Sequence, residues 1–241
     1  ELTAAGGKSS PQLDDYDIDA EDVPMPANRE VTVSEPDTEG GSSATFGFGP
    51  IEYSKPGIYT YQVRELQGNN GGMTYSKNTA TITVTVSDNL NGGYTASVNT
   101  ENDIFTNQYS TNLDYSAKGG LSIVKKLNGH NMEAFQFLVK PADQVSADKA
   151  GIQMSGQTYQ NASGASMDQQ GTSTEQISVL ENMKFTQADA GKTYTYTITE
   201  QSGNGAGYRY DDTEYTVNIV TADDGKGVLT VTTEIKGSNG V

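Results

Sequence analysis

The sequence contains no cysteine and no tryptophan, and it has a single histidine among its 241 residues. Disulfide bonds and thiol chemistry are therefore excluded, and one histidine makes a conventional catalytic triad or a zinc site hard to assemble. No run approaches the ~18 apolar residues of a membrane span, and no charged-then-apolar leader opens the chain. We therefore expect no membrane insertion and no signal peptide within this sequence.

Basic residues are also few, with 15 Lys and Arg against 31 Asp and Glu, so that the net charge is −16. Such a chain repels a phosphate backbone, and we expect no nucleic acid partner. The acidic run Asp14–Asp22 superficially resembles a calcium-binding loop, but Ala20 stands where a glycine is needed and Pro26 where a bidentate glutamate is needed. We therefore expect neither a metal ion nor a cofactor.

Helical periodicity is missing as well, whereas a period of two recurs along the chain and is typical of half-buried strands. Glycine-rich turns separate these segments, and parallel strands would need crossover helices that the sequence does not supply. Six of the seven prolines lie in the first 56 residues, which we expect to form loops and edges rather than core. The predicted strands are Ile58–Glu65, Thr79–Val86, Leu121–Leu127, Phe135–Val139, Tyr194–Glu200, Tyr215–Val220 and Val228–Ile235.

One segment of the sequence occurs twice. Lys55–Glu65 (KPGIYTYQVRE) reappears as Ala190–Glu200 (AGKTYTYTITE), and the two glutamates are 135 positions apart (200 − 65). A repeat of this length indicates one architecture present twice. We therefore predict an all-β fold of two tandem immunoglobulin-like β-sandwich domains, 1–112 and 113–241, with the boundary inside the polar stretch Ser110–Gly120.

The period of two also predicts which side chains point inward. Glu65 follows Tyr59, Tyr61 and Val63 on one face of its strand, and Glu200 occupies the same place in the second repeat. A lone buried carboxylate is costly, so each glutamate must take up a proton or find a partner. A strand-end carboxylate half in solvent is the structural alternative.

An amine and a carboxamide occur in similar settings. Lys125 shares a face with Leu121, Ile123 and Leu127, and Asn107 lies between two aromatic residues in the segment Phe105–Tyr109. A buried lysine is more readily neutral and nucleophilic, and such an amine can attack the asparagine carbonyl while a carboxylic acid carries protons and ammonia leaves. The alternatives are a lysine that reaches out to solvent and an asparagine that caps a turn.

Four segments together resemble the pilin isopeptide-linkage domain of Gram-positive surface proteins, found in the two-domain major pilin of streptococci and in tandem-repeat stalks. They are Leu121–Val139 (LSIVKKLNG…FQFLV), Met183–Glu200 (MKFTQADAGKTYTYTITE), Pro24–Glu65 (PMP…FGPIEYSKPGIYTYQVRE) and Phe105–Tyr109 (FTNQY).

The resemblance implies a role for each candidate residue. In that family a lysine on the first strand bonds to an asparagine on the last strand, and a glutamate catalyses the step, which implies Lys125 as the lysine, Asn107 as the asparagine, and Glu65 and Glu200 as the catalysts. The reaction occurs once per molecule, so the chain is not expected to be an enzyme acting on other substrates. The implied role is a structural component of a surface pilus or adhesin stalk, outside the cell.

Each repeat lacks one partner of the lysine–asparagine pair. At the repeat offset, the counterpart of Lys125 falls before Glu1 and the counterpart of Asn107 falls just beyond Val241. Within a residue or two of the same offset, Glu1–Thr3 is similar to Leu138–Lys140 and is expected to continue a second strand. Three explanations are open: the chain is trimmed from a longer one, a neighbouring subunit or adjacent repeat supplies the strands by complementation, or other residues form the bonds. The substitute lysines would be Lys8, Lys55 and Lys118.

Two further functions remain as alternatives. A host glycan- or matrix-binding adhesin module would use the loops around Asp14–Asp22 and Gln153–Gln170, and host surface ligands would then be the partners. An accessory domain of a secreted glycosidase would be encoded beside a catalytic domain.

Overall fold

Strands dominate the computed structural model, which describes residues 1–9, 16–34 and 42–239. In chain order the strands are β1 (Leu2–Ser9), β2 (Asp17–Ile18), β3 (Gly57–Arg64), β4 (Met73–Thr74), β5 (Thr79–Asp88), β6 (Tyr94–Glu101), β7 (Gln108–Tyr109), β8 (Asn112–Asp114), β9 (Leu121–Asn128), β10 (Gln136–Pro141), β11 (Gln157–Gln160), β12 (Thr172–Val179), β13 (Lys184–Thr186), β14 (Thr193–Gln201), β15 (Tyr215–Asp223) and β16 (Leu229–Gly237).

Helices in the described residues are short. The helix α1 (Gln144–Ala150) begins where the Asp143 carboxylate accepts a hydrogen bond from the Ser146 backbone N–H, and it ends at Gly151, whose φ is +68°. Three 3₁₀ turns complete the set, at Ala20–Asp22, Ser116–Lys118 and Gln187–Asp189. None of these helices is long and apolar enough to cross a membrane.

The residue contacts divide the chain into two compact units, which we call unit 1 (1–69 and 74–108) and unit 2 (70–73 and 109–241). Each unit contains a five-stranded antiparallel sheet, ordered β2-β1-β3-β5-β6 in unit 1 and β11-β10-β14-β15-β16 in unit 2. The two repeated glutamate segments, β3 and β14, occupy the middle of these sheets. The all-β fold with two domains is therefore confirmed, while the predicted boundary at 112 stays a prediction.

The core of unit 2 lies between its five-stranded sheet and two smaller sheets, β9–β12 and β8–β13. Tyr194, Tyr196 and Ile198 of β14 point into this core, as the alternation predicts. Phe185 of β13 and Val179 of β12 close it from the other side and are fully buried. Burying such side chains removes apolar surface from water, which is the main force that holds the layers together.

The core of unit 1 has a different second layer. Its sheet buries Tyr59, Tyr61 and Val63, as predicted, but these residues pack against irregular chain that includes Val23 and Tyr53 rather than against further strands. Strand β1 lies inside the sheet between β2 and β3, and its Leu2 is buried. The expectation that the first 56 residues form loops and edges rather than core was therefore wrong. Proline is disfavoured inside a sheet, but irregular chain that contains proline can still cover the sheet and bury apolar side chains against it.

All seven predicted strands are present, and the largest shift at any end is three residues. The sequence pattern missed β6 and β12, whose residues are mixed small and polar, and the six strands of two to four residues, and it indicated only the start of β1. It also missed α1, which is too short to show a helical period. The sequence pattern of β6 is weak because all eight of its side chains are exposed, so neither face of the strand has to be apolar.

The hydroxyl of Tyr61 joins the covering chain to the sheet in unit 1. It donates to the Pro24 carbonyl oxygen at 2.8 Å and lies 2.8 Å from the Tyr53 hydroxyl. Burial and the Tyr53 contact raise the pKa of Tyr61, so the hydroxyl keeps its proton and remains a donor.

Tyr61→Phe should lower the free energy of unfolding of unit 1 by about 1–2 kcal/mol, because it leaves a partly buried carbonyl oxygen without its donor. Amide hydrogen exchange of β3 and β5 measures the change. The control is Tyr94→Phe, which removes a hydroxyl from a side chain that is 46% exposed and makes a weaker contact of 3.3 Å with Ser54. Equal effects of the two variants would contradict this role for Tyr61.

Candidate functional site

Lys125 and Glu200 form a buried ion pair in unit 2. The Lys125 Nζ lies 2.6 Å from Glu200 Oε1, and only 11% and 3% of the two side chains are exposed. Lys125 is on β9 and Glu200 is on β14, so the pair connects the two layers of the sandwich. The ammonium also lies 4.3 Å from the centre of the Phe135 ring, whose face attracts a cation. The inward orientation predicted for both residues is present.

The second carboxylate oxygen of Glu200 accepts a hydrogen bond of 2.8 Å from the backbone N–H of Asp211. The Asp211 carboxylate accepts from Thr213 and from the Tyr215 hydroxyl. These hydrogen bonds lower the pKa of Asp211, and those from Thr213 have the largest effect. Partial burial opposes the shift, whereas the nearby positive charge of Lys125 adds to it. Asp211 therefore stays ionised beside the pair.

A groove of about 620 Å³ gives access to this pair. Lys125, Glu200 and Asp211 line it together with apolar side chains that include Val217 and Ile235. The amine and the acid therefore lie at the wall of an open groove that polar and apolar side chains line together.

Glu65 and Asn107 form the matching contact in unit 1. The Asn107 side-chain amide donates to Glu65 Oε1 at 2.6 Å. The backbone N–H of Ser76 donates to Asn107 Oδ1 at 2.7 Å and to Glu65 Oε2 at 3.1 Å. Both functional groups of the carboxamide are therefore held, the nitrogen by the carboxylate and the oxygen by a backbone amide.

The two glutamates share one feature that side-chain patterns did not reveal. Each accepts a hydrogen bond from the backbone N–H eleven residues further along, Ser76 for Glu65 and Asp211 for Glu200 (76 − 65 and 211 − 200). Every residue type except proline has a backbone N–H, so no particular residue in the sequence marks this hydrogen bond. The only signal in the sequence was the constant offset between the two repeats.

The predicted setting of Asn107 was wrong in one respect. Residues 103–107 are not in a strand, β7 begins only at Gln108, and the Asn107 side chain is exposed rather than enclosed between two rings. Its place is fixed instead by the two hydrogen bonds to Glu65 and Ser76. Glu65 is half-buried.

The lysine and the asparagine lie in different units, Lys125 in unit 2 and Asn107 in unit 1. Among the described residues, no lysine forms an ion pair with Glu65, and no asparagine is hydrogen-bonded to Glu200. The structure thus brings together an acid and an amide in unit 1 and an acid and an amine in unit 2.

The substitute lysines lie elsewhere. Lys8 is on β1 rather than in a loop, and its ammonium pairs at the surface with Asp17 at 2.5 Å. Lys55 and Lys118 are exposed. In the acidic run, Asp14 and Asp15 lie outside the described residues. Among the residues that the structure describes, no three or more acidic or histidine side chains are grouped so that they could hold a metal ion.

A second buried ion pair in unit 2 was not predicted. The Lys149 Nζ lies 2.7 Å from Asp189 Oδ1, and 20% and 6% of the side chains are exposed. The Tyr194 hydroxyl and the Thr186 backbone N–H also donate to this carboxylate, at 2.5 and 2.7 Å. Burial alone would raise the pKa of Asp189, but the hydrogen bonds from Lys149, Tyr194 and Thr186 outweigh it and lower the pKa to about 2.

The two ion pairs differ in how strongly the carboxylate is held. Asp189 accepts from a lysine, a tyrosine, and both the backbone and the hydroxyl of Thr186, whereas Glu200 accepts only from Lys125 and one backbone N–H. A carboxylate with that many donors stays charged and is a poor electrophile. The Lys149 pair therefore fastens α1 to the 3₁₀ turn Gln187–Asp189.

One protein-family model matches the chain twice, once in each half. A family model described as FctA, a Spy0128-like isopeptide containing domain, matches residues 12–110 and again residues 121–241. No curated protein and no solved structure matched the chain in the same comparisons. Each matched range contains one of the two glutamates, and together the ranges cover most of the sequence.

Proposed function

Because this chain belongs to the FctA family of Spy0128-like isopeptide containing domains, we propose that it is a structural component of a Gram-positive surface pilus or adhesin stalk. The family indicates a pilin-like, surface-displayed component with isopeptide bonds. We assign the lysine role in unit 2 to Lys125, the asparagine role in unit 1 to Asn107, and the catalytic role to Glu65 and Glu200. The observation that carries the proposal is the buried contact of 2.6 Å between Lys125 and Glu200.

The chemistry is a single acyl transfer in each unit. The neutral lysine amine attacks the asparagine carbonyl carbon, the glutamate takes a proton from the amine and passes it to the departing nitrogen, and ammonia leaves. No further turnover occurs, because the product is part of the chain. The protein is therefore not an enzyme in the usual sense.

The bond would tie the first strand of a unit to its last strand. By the loop-entropy argument, a cross-link that closes ~100 residues contributes ~4 to 5 kcal/mol to stability. It does so without a thiol, which suits a chain with no cysteine. Such a tie lies along the path of a pulling force and resists both extension and proteolysis.

Two sources can supply the other halves of the sites. Flanking sequence of the same polypeptide would give bonds within one chain, whereas a strand from a neighbouring subunit or repeat would give bonds between chains. Neighbouring subunits or adjacent repeats of the protein are the partners expected on either route.

Intact mass spectrometry tests the proposal. We expect this chain alone to show its uncrosslinked mass, and the same chain with flanking sequence from its gene at both ends to lose about 17 Da for each bond formed, two in all. Glu65→Gln and Glu200→Gln should each restore one loss. Covalent oligomers on a denaturing gel would identify bonds between chains, and an extended chain of unchanged mass with no such oligomers would refute the proposal.

A further inference from the structure

The ring of Phe135 covers one side of the Lys125 amine and is itself held by two tyrosines. The Lys125 Nζ lies 4.3 Å from the ring centre, and Phe135 is 4% exposed. The rings of Tyr208 and Tyr210 are steeply inclined to the Phe135 ring, each with its centre 5.8 Å away. Rings in this arrangement attract one another, so the two tyrosines stabilise the orientation of the ring beside the amine.

Asn161 fixes the backbone of Phe135. The Phe135 N–H donates to Asn161 Oδ1 at 2.8 Å, and the Phe135 carbonyl oxygen accepts from the Asn161 backbone N–H at 3.3 Å. The Asn161 side-chain nitrogen donates to the carbonyl oxygens of Glu133 and Ala162, at 2.7 and 2.5 Å. Asn161 is 3% exposed, and a carboxamide buried to this extent is stable because both of its polar atoms are hydrogen-bonded.

Phe135 depends on Asn161 because it lies just outside the sheet. Strand β10 and its pairing with β14 begin at Gln136, so the hydrogen bonds of that ladder do not include Phe135. The two bonds to Asn161 take their place. The position of the ring beside Lys125 is therefore set by one buried asparagine in the segment that follows β11.

We propose that Asn161 is a positioning residue for the Lys125 amine and acts through the Phe135 ring. The amine is held between this ring and Glu200, and Lys125 and Glu200 line the groove, whereas Phe135 does not. The ring therefore covers a side of the amine other than the one that faces the groove. The inference rests on the proposed function in taking Lys125 as the reacting amine.

Holding the amine has two consequences. An acyl group that enters along the groove meets the amine in one geometry, which lowers the entropy cost of the attack. A lysine side chain without the ring would sample more rotamers, so its amine would reach bulk water and small reagents more often. Loss of the ring or of Asn161 should therefore slow the reaction in the groove and speed reactions with reagents in solution.

Acetylation of the full chain with N-hydroxysuccinimidyl acetate, followed over time by peptide mass spectrometry, tests the second consequence. Asn161→Ala and Phe135→Leu should each raise the acetylation rate of Lys125 about fivefold, the factor that matches a cation–π contact of ordinary strength. Lys149 is the internal control, because it also pairs with a buried carboxylate but lies near the Phe185 ring. Its rate should stay unchanged.

Two matched variants control for lost hydrogen bonds and lost rings. Asn131→Ala removes an exposed asparagine whose Oδ1 accepts from the Met167 backbone N–H, and Phe185→Leu removes a ring elsewhere in the core of unit 2. Neither variant should change the acetylation rate of Lys125. Hydrogen exchange of the β14 and β15 amides shows which variants fold, and if Asn161→Ala does not fold, Phe135→Leu decides.

The chain extended with flanking sequence from its gene tests the first consequence. After dilution from urea, the loss of about 17 Da in unit 2 should form at least about tenfold more slowly in Asn161→Ala and Phe135→Leu, because a displaced amine rarely meets the carbonyl in a reacting geometry. The loss of mass in unit 1 should keep its rate, since neither residue belongs to that unit.

Three results would overturn this inference. They are an unchanged acetylation rate of Lys125 in the folded variants, an equal rise at Lys125 and Lys149, which would indicate general loosening of unit 2, and a native rate of mass loss in the extended variants. The proposed function fails separately. If the acetylation result holds while the extended native chain neither loses mass nor forms covalent oligomers, the proposed function is wrong and the positioning of Lys125 by Asn161 stands.

Discussion

Replacing Glu200 with alanine is expected to lower the free energy of unfolding of unit 2 by about 3–5 kcal/mol, the usual cost of leaving one charge of a buried pair without its partner. Lys125 is 11% exposed and would lose the carboxylate that it contacts, while it keeps its contact with the Phe135 ring. Hydrogen exchange of the β14 and β15 amides reports on unit 2 and measures the loss.

Two further variants separate the pair from its individual members. The double variant Lys125→Met/Glu200→Leu should be close to neutral, because replacing both charges by apolar groups removes the desolvation cost together with the attraction. Glu175→Ala is the matched control, since Glu175 is the ladder partner of Lys125 on β12 but forms no ion pair with it among the described contacts. If Glu175→Ala destabilises unit 2 as much as Glu200→Ala does, the pairing is wrong.

Asp189→Asn is expected to reduce the stability of unit 2 by about 2 kcal/mol at pH 7, with a loss that disappears in acid. The pKa of Asp189 is lowered from 3.8 to about 2, so its charged form stabilises the folded state above the unfolded pKa. That contribution is lost as the pH falls from about 4 to about 2. The difference between the native chain and the variant should therefore close over this window.

Unfolding by urea at a series of pH values measures the Asp189 effect. Asp148→Asn is the control, because Asp148 lies on α1 close to Lys149 in sequence but its side chain is exposed. That variant should change stability little at any pH. A constant difference between the native chain and Asp189→Asn down to pH 2 would show that the loss comes from packing and not from charge.

The strands with alternating aromatic and β-branched residues could be predicted from the sequence. Tyr194, Tyr196 and Ile198 point inward in β14 because the alternation matches the pleat of a sheet that has one buried face. The repeat correctly indicated that both units use the same strand order. Only the start of strand β1 was recognised, through the repeat offset that matches Glu1–Thr3 with Leu138–Lys140. The rest was missed because its sequence LTAAGGKS is dominated by small residues and its place in the sheet depends on its partners rather than on its own pattern.

The candidate site was predictable only where it depends on the face of a strand. Lys125 and Glu200 were found through alternation, and the structure brings them together from different layers. The exposure of Asn107 could not be foreseen, because it depends on where strand pairing begins near Gln108. Asp189 is held by Lys149 from α1, and a contact between a short helix and a distant turn leaves no periodic signal.

The equal spacing between each glutamate and its backbone donor limits how this part of the protein can evolve. The connecting segments, Leu66–Tyr75 and Gln201–Tyr210, differ in most residues but have the same length. Nearly any amino acid supplies a peptide N–H, so substitutions in these segments leave the hydrogen bond to the glutamate intact. An insertion or deletion of one residue would shift the amide out of reach of the carboxylate, so we expect related proteins to vary the composition of this loop while conserving its length.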